Sequence, residues 1–525
     1  MKRAPLLCLA LLMPQLARAA GAADERYCAP PPAVPAPPLV ARIDELVAKL
    51  AKSAHRAVPV RDARLDAAAD EIARIVPDRA PPPNELVQGA LWLHGIVEPP
   101  PQLLLTTMGE HEDDAFLERL ASDLPSVLAQ GRYARVGVGL EPLGKGETRV
   151  LVALQESFVT IAPLPRALPV NARVDLKGAL RGNYAKPEAF VTAPDGKVLT
   201  RMALRGRASA FTGSFKCGPQ PGRYQVEITG EDSYGPTVLA NFPLWCGQKA
   251  PHTLREVAPP GGHDEESATP NAAEQTAFRL LNADRAHAGL PPLVWDEALA
   301  NVARGHSVDM MTHDFFGHIS PTTGSAQDRV RKAGVDAQLL LENVARAFTA
   351  GESERGLMSS PGHRANILNP DVTHVGIGVA IEKDSHELLL TQLFSLPPEQ
   401  FGAHSIDDVR HQMDELRRTR KLTPLVHEPS FDALAQAMAT QLATGKMTSA
   451  DVSKHIGDTI GKDAARWKEV RSMVAVVGSP SQVVPTAKDT LADSSITHVG
   501  VGIERGPRRE GGHGLYVVII LVTHR

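Results

Sequence analysis

The chain has 525 residues, 43% of them hydrophobic, and a formal net charge of −4. A chain this long exceeds what one hydrophobic core organises, so we expect three or four globular domains. The small negative charge and the lack of a basic run give no electrostatic ground for binding nucleic acid or an anionic membrane surface, so we expect no nucleic-acid partner.

The N-terminus has the three parts of a secretory signal peptide. Lys2 and Arg3 supply positive charge, residues 6–13 are an apolar run, and residues 17–19 (ARA) form a cleavage site before Ala20. No later apolar stretch is long enough to span a bilayer. We therefore predict a signal peptide at residues 1–19 and an exported chain without a transmembrane segment, located in the periplasm or outside the cell.

Three of the four cysteines lie beyond the predicted signal peptide. An exported protein can keep a disulfide, and Cys217 and Cys246 are the natural pair because they are close in sequence. Such a bridge would stabilise its domain by roughly 3 kcal/mol. Cys28 is left over in a proline-rich segment, and its fate stays open.

The first half of the chain changes character three times. Residues 29–38 are rich in proline and predict an extended spacer. Residues 39–155 begin with amphipathic helical spacing and end in two alternating runs around a glycine-rich turn. Residues 156–249 consist of short alternating runs separated by turn signals, which predicts a β-sandwich of immunoglobulin-like size. Residues 250–272 are polar and rich in proline and glycine, which is typical of a linker.

Residues 273–397 begin with two amphipathic helices. The first ends at Gly289, and Asp296 can cap the second. The phrases HDFFGHISP, LLLENVARAF and MSSPGHRANILNP follow, and Glu342 opens a helix-like run in the second of them. Two alternating runs, THVGIGVAI and ELLLTQLF, predict paired strands. The predicted buried face of the second helix comprises Leu299, Val302, Ala303, His306 and Met310.

These phrases, in this order, resemble the bacterial SCP-like branch of the CAP superfamily (cysteine-rich secretory, antigen 5 and pathogenesis-related proteins), with the best match over residues 278–394. The resemblance implies an α+β fold, an α-β-α sandwich in which a small antiparallel sheet lies between helices under a cleft. It implies little about activity, because the biochemistry of the family is varied.

The sequence repeats itself beyond this region. LTPLVHEPSFDALAQAMA at residue 422 resembles LPPLVWDEALANVA at residue 290, and THVGVGI at residue 497 resembles THVGIGV at residue 373. We therefore predict a degenerate CAP-like module at residues 402–525. Fainter matches, PVRDARLDAAADEIA and YARVGVGL, predict another degenerate CAP-like module at residues 39–155.

The CAP family is known for a cleft tetrad of two histidines and two glutamates, which holds a divalent metal in some members. Carried over by motif, the resemblance places His318 and His374 at the histidine positions and Glu342 at one glutamate position. The other glutamate position falls at Ser360. The tetrad is therefore one carboxylate short.

Two neutral imidazoles suit zinc or another divalent cation, so His318 and His374 are candidate metal ligands. We favour Glu342 as a hydrogen-bond acceptor for a histidine rather than as a third ligand, because the site lacks its second carboxylate. The alternative is a structural cluster whose members bond one another and hold the helices on the sheet.

Ser360 and His363, in the phrase SPGHR, suggest a serine nucleophile. Pro361 and Gly362 favour a turn, however, and no GxSxG motif surrounds the serine. We interpret Ser360 as the cap of the helix that follows.

Other residues carry weaker signals. His306 lies on an apolar helix face, which favours a buried structural histidine over a ligand. No HExxH motif supports a zinc peptidase. Leu341 and Leu357 stand where the family usually has glycine and tryptophan. These two departures alter the expected shape of the cleft.

The flanking regions retain less of the tetrad. His455 and His498 fall at the two histidine positions of the C-terminal region, and Ser472 falls at its glutamate position. Arg135 replaces the second histidine in the N-terminal region. Any site therefore belongs to the middle module.

We predict an exported multi-module protein that works by binding in the envelope or the extracellular space rather than by catalysis. One alternative is a hydrolase or peptidase that uses the middle cleft, and another is a structural adhesion or inhibitor protein. The sequence leaves the ligand open among glycan, lipid, peptide and protein, and it leaves the oligomeric state open.

Overall fold

The computed structural model describes residues 26–30, 35–76, 82–257, 269–383, 385–397, 405–463, 465–507 and 513–525. These ranges mix helices and strands throughout, as an α+β protein requires. The predicted signal peptide lies outside the described residues. Among the described residues, no helix is both long enough and apolar enough to cross a membrane.

Helices and strands are numbered in chain order. The helices are α1 (Pro38–Ser53), α2 (Ala63–Ile75), α3 (Asn84–Leu93), α4 (Asp113–Gln130), α5 (Leu254–Val257), α6 (Pro270–His287), α7 (Glu297–Thr312), α8 (Ala326–Lys332), α9 (Ala350–Ser359), α10 (Pro361–Ile367), α11 (Ser405–Thr419), α12 (Pro429–Ala443), α13 (Ser449–Ile460) and α14 (Val483–Leu491). The strands are β1 (Arg26–Tyr27), β2 (Val60–Arg61), β3 (Gln102–Met108), β4 (Tyr133–Gly144), β5 (Glu147–Glu156), β6 (Val159–Ile161), β7 (Leu164–Pro165), β8 (Ala167–Leu168), β9 (Arg173–Leu180), β10 (Ala185–Thr192), β11 (Val198–Ala203), β12 (Arg205–Arg207), β13 (Ala210–Lys216), β14 (Gly222–Asp232), β15 (Gly235–Cys246), β16 (Val294–Trp295), β17 (Leu339–Ala347), β18 (His374–Ile381), β19 (Leu388–Leu396), β20 (Val426–His427), β21 (Trp467–Val477), β22 (His498–Pro507) and β23 (His513–His524).

The chain divides into two compact units. The first contains residues 1–266 and 347–365, and the second contains residues 267–346 and 366–525. The region predicted as the middle domain therefore contributes to both units, because α9 belongs to the first and β18 and β19 belong to the second.

Three four-stranded sheets share one strand order. The first unit contains β2-β4-β5-β3, and the second contains β16-β18-β19-β17 and β20-β22-β23-β21. In each sheet a two-residue edge strand runs parallel to its neighbour, and that neighbour pairs antiparallel with the next strand.

The register of the edge strand is the same in all three sheets. Arg135, His374 and His498 each lie opposite the first residue of a short edge strand, namely Val60, Val294 and Val426. The motif positions compared in the sequence are therefore also equivalent positions in three sheets. A helix follows each edge strand, and Asp296 caps α7 by accepting a hydrogen bond from the Leu299 N–H at 3.0 Å.

Two glycines let α7 lie directly on β18. A Cβ atom added at Gly376 would overlap Leu299 and Ala300, and one added at Gly378 would overlap the backbone at Arg304. Because only glycine lacks a Cβ atom, the G-x-G pattern of this strand permits the close approach of the helix. Leu299 and Ala303 of α7 are buried as predicted.

Residues 159–246 form strands without a helix, in two main sheets. Their orders are β11-β10-β14-β15-β8 and β12-β13-β9-β6. Buried side chains from both sheets share one hydrophobic core, including Leu176, Val191, Phe211, Val226 and Phe242. The predicted disulfide between Cys217 and Cys246 is confirmed, with 5.9 Å between the Cα atoms.

Two local predictions around the candidate site are wrong. Glu342 lies in strand β17 and not in a helix. This strand pairs with β19, and sheet pairing overrides local helical patterning. Pro361 and Gly362 start helix α10 instead of a turn, because proline is well suited to the first position of a helix.

The edges of the predicted spacer and linker also differ in the structure. Pro38, the last residue of the predicted spacer, is the first residue of α1. The predicted linker contains α5, whose Leu254 is buried, and the start of α6. Thr269 caps α6 through its side chain, and Pro270 occupies the first helical position.

Candidate functional site

His318 lies in the loop between α7 and α8, and a buried carboxylate holds that loop. Asp309, near the end of α7, accepts hydrogen bonds from Ser320 Oγ at 2.5 Å, Thr322 Oγ1 at 2.7 Å and Thr323 Oγ1 at 3.1 Å. Burial raises the pKa of Asp309, but these bonds outweigh it and keep the pKa below its ordinary value. The ionised carboxylate therefore fixes the loop that carries His318.

The structure brings His318 and Glu342 together. His318 Nδ1 lies 3.0 Å from Glu342 Oε1, and the Arg329 guanidinium from α8 forms a close ion pair with Glu342 Oε2. Arg329 Nη1 also donates to the His318 carbonyl at 3.2 Å. One carboxylate thus joins the loop, helix α8 and strand β17.

The Glu342 carboxylate is ionised in this arrangement. Its side chain is 5% exposed, and burial alone would raise its pKa. The hydrogen bond from His318 and the positive charge of Arg329 outweigh burial, so the pKa of Glu342 is lower than its ordinary value. Both oxygens of Glu342 thus accept a hydrogen bond from a fixed side chain, an arrangement compatible with the predicted acceptor role.

Three amides continue this polar cluster. Asn366 Nδ2 donates to the Glu342 carbonyl at 3.1 Å and to Asn343 Oδ1 at 2.9 Å. Asn343 Nδ2 donates to Gln392 Oε1 at 3.0 Å. Because Asn343 and Gln392 are fully buried, these bonds hold β17 and β19 to α10.

His374 occupies the first position of β18. Its backbone pairs with Val294 on one side and with Ser395 on the other. Its Nδ1 lies 2.9 Å from Thr373 Oγ1, and the side chain is partly exposed. The neighbouring hydroxyl thus sets the orientation of this imidazole.

His306 is a buried structural histidine, as its place on the apolar face of α7 predicts. It is fully buried, and its Nε2–H donates to the Gly317 carbonyl at 2.9 Å. Burial lowers its pKa, so the ring is neutral at physiological pH. This bond ties α7 to the start of the loop that carries His318.

A complete metal site is not assembled in the described part of the chain. No group of three or more histidine, cysteine, aspartate and glutamate residues there is arranged to hold a metal ion. Because Glu342 is committed to His318 and Arg329, only His318 and His374 remain as candidate ligands. Zinc binding by His318 and His374 stays a prediction, and the described residues supply no third ligand for it.

Ser360 belongs to the first unit, where it contacts a carboxylate of strand β14. Its hydroxyl donates to Glu227 Oε2 in a short hydrogen bond, and the Gly362 N–H donates to Glu227 Oε1 at 3.1 Å. His363 Nδ1 lies 2.8 Å from Ser360 Oγ. When Glu227 is ionised, the single serine proton points to the carboxylate, and His363 then donates to the serine hydroxyl.

Glu227 also replaces Ser360 in the predicted capping role. The Ser360 carbonyl accepts the first bond of α10, from Arg364 N–H at 2.8 Å, but its side chain turns to Glu227. A carboxylate close to a helix start is stabilised by the orphan N–H groups there. Burial nevertheless raises the pKa of Glu227 to about 7, against the opposing effect of its bonds to Ser360 and Gly362.

The flanking regions do not rebuild the tetrad among the described residues. His455 lies on the exposed face of α13. Ser472 lies in β21, and its hydroxyl donates to Ser453 Oγ at 2.9 Å. His498 stacks on His524 with 5.8 Å between ring centroids, and Arg135 forms a close ion pair with Glu98.

Sequence patterns do not identify the residues that complete the polar clusters around His318 and around Ser360. Arg329 and Asp309 lie on amphipathic helices whose polar positions carry no motif. Glu227 is more than one hundred residues from Ser360, and it lies in a strand with an ordinary alternation of apolar and polar residues. Only spatial contact identifies such partners.

Comparison with known proteins supports the resemblance in the middle of the chain. Residues 278–394 match the family model CAP, the cysteine-rich secretory protein family. The uncharacterized protein YkwD of Bacillus subtilis is 42% identical over 109 residues, which are 21% of this chain and 42% of that protein. The uncharacterized membrane protein YlbC of the same species is 41% identical over 108 residues, 20% of this chain and 31% of that protein. The chain thus spans less than half the length of either relative.

A solved structure with similar features is an extracellular protein with an SCP domain from Bacillus anthracis. It is 23% identical, with 43% of this chain and 66% of that chain covered, at a TM-score of 0.23. A cysteine-rich secretory protein from Staphylococcus aureus is 14% identical, with 52% of this chain and 91% of that chain covered, at a TM-score of 0.21. Such low TM-scores establish no common arrangement of the whole chains.

Proposed function

Residues 278–394 are a domain of the CAP superfamily, and from this premise we propose that the chain is an exported, non-catalytic binding protein of the envelope or extracellular space. The observation that carries the proposal is the engagement of both Glu342 oxygens, by His318 and by Arg329. Each oxygen keeps a second lone pair, but the bonds from His318 and Arg329 fix the carboxylate and keep the pKa of Glu342 below its ordinary value, which makes it a weak general base.

Two features support an extracytoplasmic location. The first 19 residues have the pattern of a signal peptide, and Cys217 and Cys246 form a disulfide of the kind kept in oxidising compartments. We also propose that the three sheets of equal strand order belong to three copies of one module, of which the middle copy retains the most of the cleft.

Exposed apolar side chains beside His318 favour ligand binding. Phe316 and Ile319 are each 37% exposed, and the Arg346 guanidinium lies 5.2 Å from the centroid of the Phe316 ring. Exposed aromatic and aliphatic groups next to polar ones are typical of binding surfaces. We propose that Phe316 and Ile319 contact the ligand, whose class among glycan, lipid and protein is the object of the test.

Retention of the full chain on three probes tests the binding proposal. The probes are purified cell-wall glycan, phosphatidylcholine–phosphatidylglycerol vesicles and an immobilised envelope protein fraction. We expect Phe316→Ala plus Ile319→Ala to weaken retention on one probe at least tenfold, because the ligand loses its apolar contacts. Val308→Ala, a change at an exposed apolar residue of α7, is the matched control and should bind like wild type. Equal retention of all three proteins, or no retention on any probe, contradicts the proposal.

The hydrolase alternative predicts a different result. Casein and p-nitrophenyl butyrate are suitable generic substrates, and His318→Ala and Ser360→Ala remove the residues that catalysis would need. We expect the same background rate for wild type and both variants, because Ser360 donates its proton to Glu227 and Glu342 is occupied. His287→Ala, at an exposed position of α6, is the control. A rate lost in either site variant and kept in the control would establish the hydrolase.

Zinc binding is a separate proposal for the same cleft. We propose that His318 and His374 take up zinc weakly, since two imidazoles without a third protein ligand hold the metal poorly. Uptake should fall as the pH falls through the range in which imidazole titrates, because protons compete for the ring nitrogens. Calorimetry with His318→Ala plus His374→Ala decides the question, and equal uptake by variant and wild type would exclude these ligands.

A further inference from the structure

A cavity of about 150 Å³ lies in the first unit, and no residue of the predicted tetrad lines it. Arg64, Arg135 and Arg181 line it, together with Glu98 and Cys28. Gly95 also lines it at a φ of +76°, and a Cβ atom there would lie 2.9 Å from the Arg26 carbonyl oxygen. Glycine is thus required where the chain segment that carries Cys28 closes one side of the cavity.

Two of the three arginines already have anionic partners. Arg135 forms a close ion pair with Glu98, and Arg64 Nη2 lies 2.7 Å from Asp62 Oδ2. Asp62 and Glu98 are both buried, at 4% exposure each. Three guanidinium groups and two carboxylates leave one positive charge in excess.

Arg181 carries that excess charge. Its Nε donates to Thr160 Oγ1 at 3.0 Å, and it forms no ion pair within the described part of the chain. The positive charge of Arg181 also repels that of Arg135. Burial lowers the pKa of Arg135, and the positive charges of Arg64 and Arg181 lower it further. An anion in the cavity would relieve this repulsion, because guanidinium groups bind carboxylates through paired N–H donors.

The rest of the lining is apolar. Val97, Val159 and Ile161 are at most 5% exposed and form part of the cavity wall. Burial raises the pKa of the Cys28 thiol to about 11, so it is mostly protonated at neutral pH and reacts slowly as a nucleophile. The cavity therefore combines one unbalanced positive charge, a neutral thiol and a hydrocarbon wall.

We propose that this cavity binds a small monocarboxylate with a short hydrocarbon chain, its carboxylate on Arg181 and its chain against Val97, Val159 and Ile161. A single negative charge balances the cavity, whereas a phosphate dianion would leave it negative. The volume equals that of about five water molecules, which is room for an acid of a few carbons. This site is independent of the cleft function proposed above.

Calorimetry of the full chain with sodium butyrate, butyramide and inorganic phosphate at constant ionic strength tests the proposal. Butyrate should bind, and its neutral isostere butyramide should bind at least tenfold more weakly. Arg181→Gln should weaken butyrate binding at least tenfold, because it removes the unbalanced charge from an exposed position where folding is not at risk. Arg207→Gln, at an exposed arginine of β12, is the matched control and should bind butyrate like wild type.

Alkylation of Cys28 provides a second readout. In the full chain with Cys8→Ser, Cys28 is the remaining thiol outside the disulfide. Butyrate should slow its reaction with N-ethylmaleimide severalfold, and Arg181→Gln should abolish the protection. Equal binding of butyrate by Arg181→Gln and wild type, binding of butyramide as tight as that of butyrate, or no butyrate binding at all overturns the proposal. Tighter binding of phosphate than of butyrate overturns the assignment to a monocarboxylate.

Discussion

Replacing Gly378 with alanine is expected to destabilise the packing of α7 on β18 by about 3 kcal/mol. The added Cβ atom would overlap the backbone at Arg304, and a helix backbone cannot move aside as a flexible side chain can. The helix must then separate from the sheet along the segment that includes Leu299 and Ala303. Because α7 leads into the loop of His318, the candidate cleft should be disturbed as well.

Hydrogen exchange of the α7 amides measures this effect locally. If the free energy of local opening falls by about 3 kcal/mol, the α7 amides should exchange roughly 100-fold faster. The matched control is Gly305→Ala in the same helix, where an added Cβ atom meets nothing within 4 Å. There alanine should stabilise the helix by about 0.5–1 kcal/mol and slow exchange. Unchanged α7 protection in Gly378→Ala would show that the close approach is not required.

The second large effect is a pH dependence that comes from Glu227. Its pKa is raised from 4.5 to about 7 in the folded chain, chiefly by burial. A carboxyl group whose folded pKa is raised contributes stability that is complete below the unfolded pKa and is lost as the pH rises to the folded pKa. Between pH 4.5 and about 7 the first unit should therefore lose on the order of 3 kcal/mol of unfolding free energy.

Glu227→Gln should remove this loss. Glutamine keeps the shape and an acceptor for Ser360 but carries no charge, so the variant should match wild type near pH 4.5 and be more stable at pH 8. Urea denaturation followed by circular dichroism across this range measures the difference. Glu231→Gln, in the same strand but paired with Lys186 at the surface, should leave the profile unchanged. His363 lies in the same cluster and is present in both proteins, so the difference between Glu227→Gln and wild type isolates the carboxyl contribution. A Glu227→Gln profile parallel to that of wild type would refute this account.

Motif and periodicity located the middle domain and its principal polar residues because these signals are local. The apolar face of α7, the cap at Asp296, and the strands that begin at His374 and His498 each depend on a few neighbouring residues. The disulfide between Cys217 and Cys246 is predicted by the oxidising compartment expected for an exported chain and by the closeness of the two cysteines in sequence. The ambiguous local pattern around Glu342 predicts a helix, and only pairing with strand β19 makes this segment a strand.

Sequence patterns do not predict contacts between residues that are far apart along the chain. Arg285 is fully buried, and its guanidinium donates to the carbonyls of Pro291, Ile367 and Asn369. Arg417 has the same kind of role and donates to the carbonyls of Thr423 and Leu491. Nothing in the composition around either arginine marks it as buried, because a charged residue enters a core only where the fold supplies its partners.

The sequence by itself therefore determined the CAP-like middle region, the disulfide and the residues at the tetrad positions. The tertiary structure alone decided what those residues do. Arg329 neutralises Glu342, and Glu227 binds the hydroxyl of Ser360. The physical reason is that hydrogen bonding and charge pairing act over a few ångströms in space, whereas sequence patterns report only on neighbours along the chain.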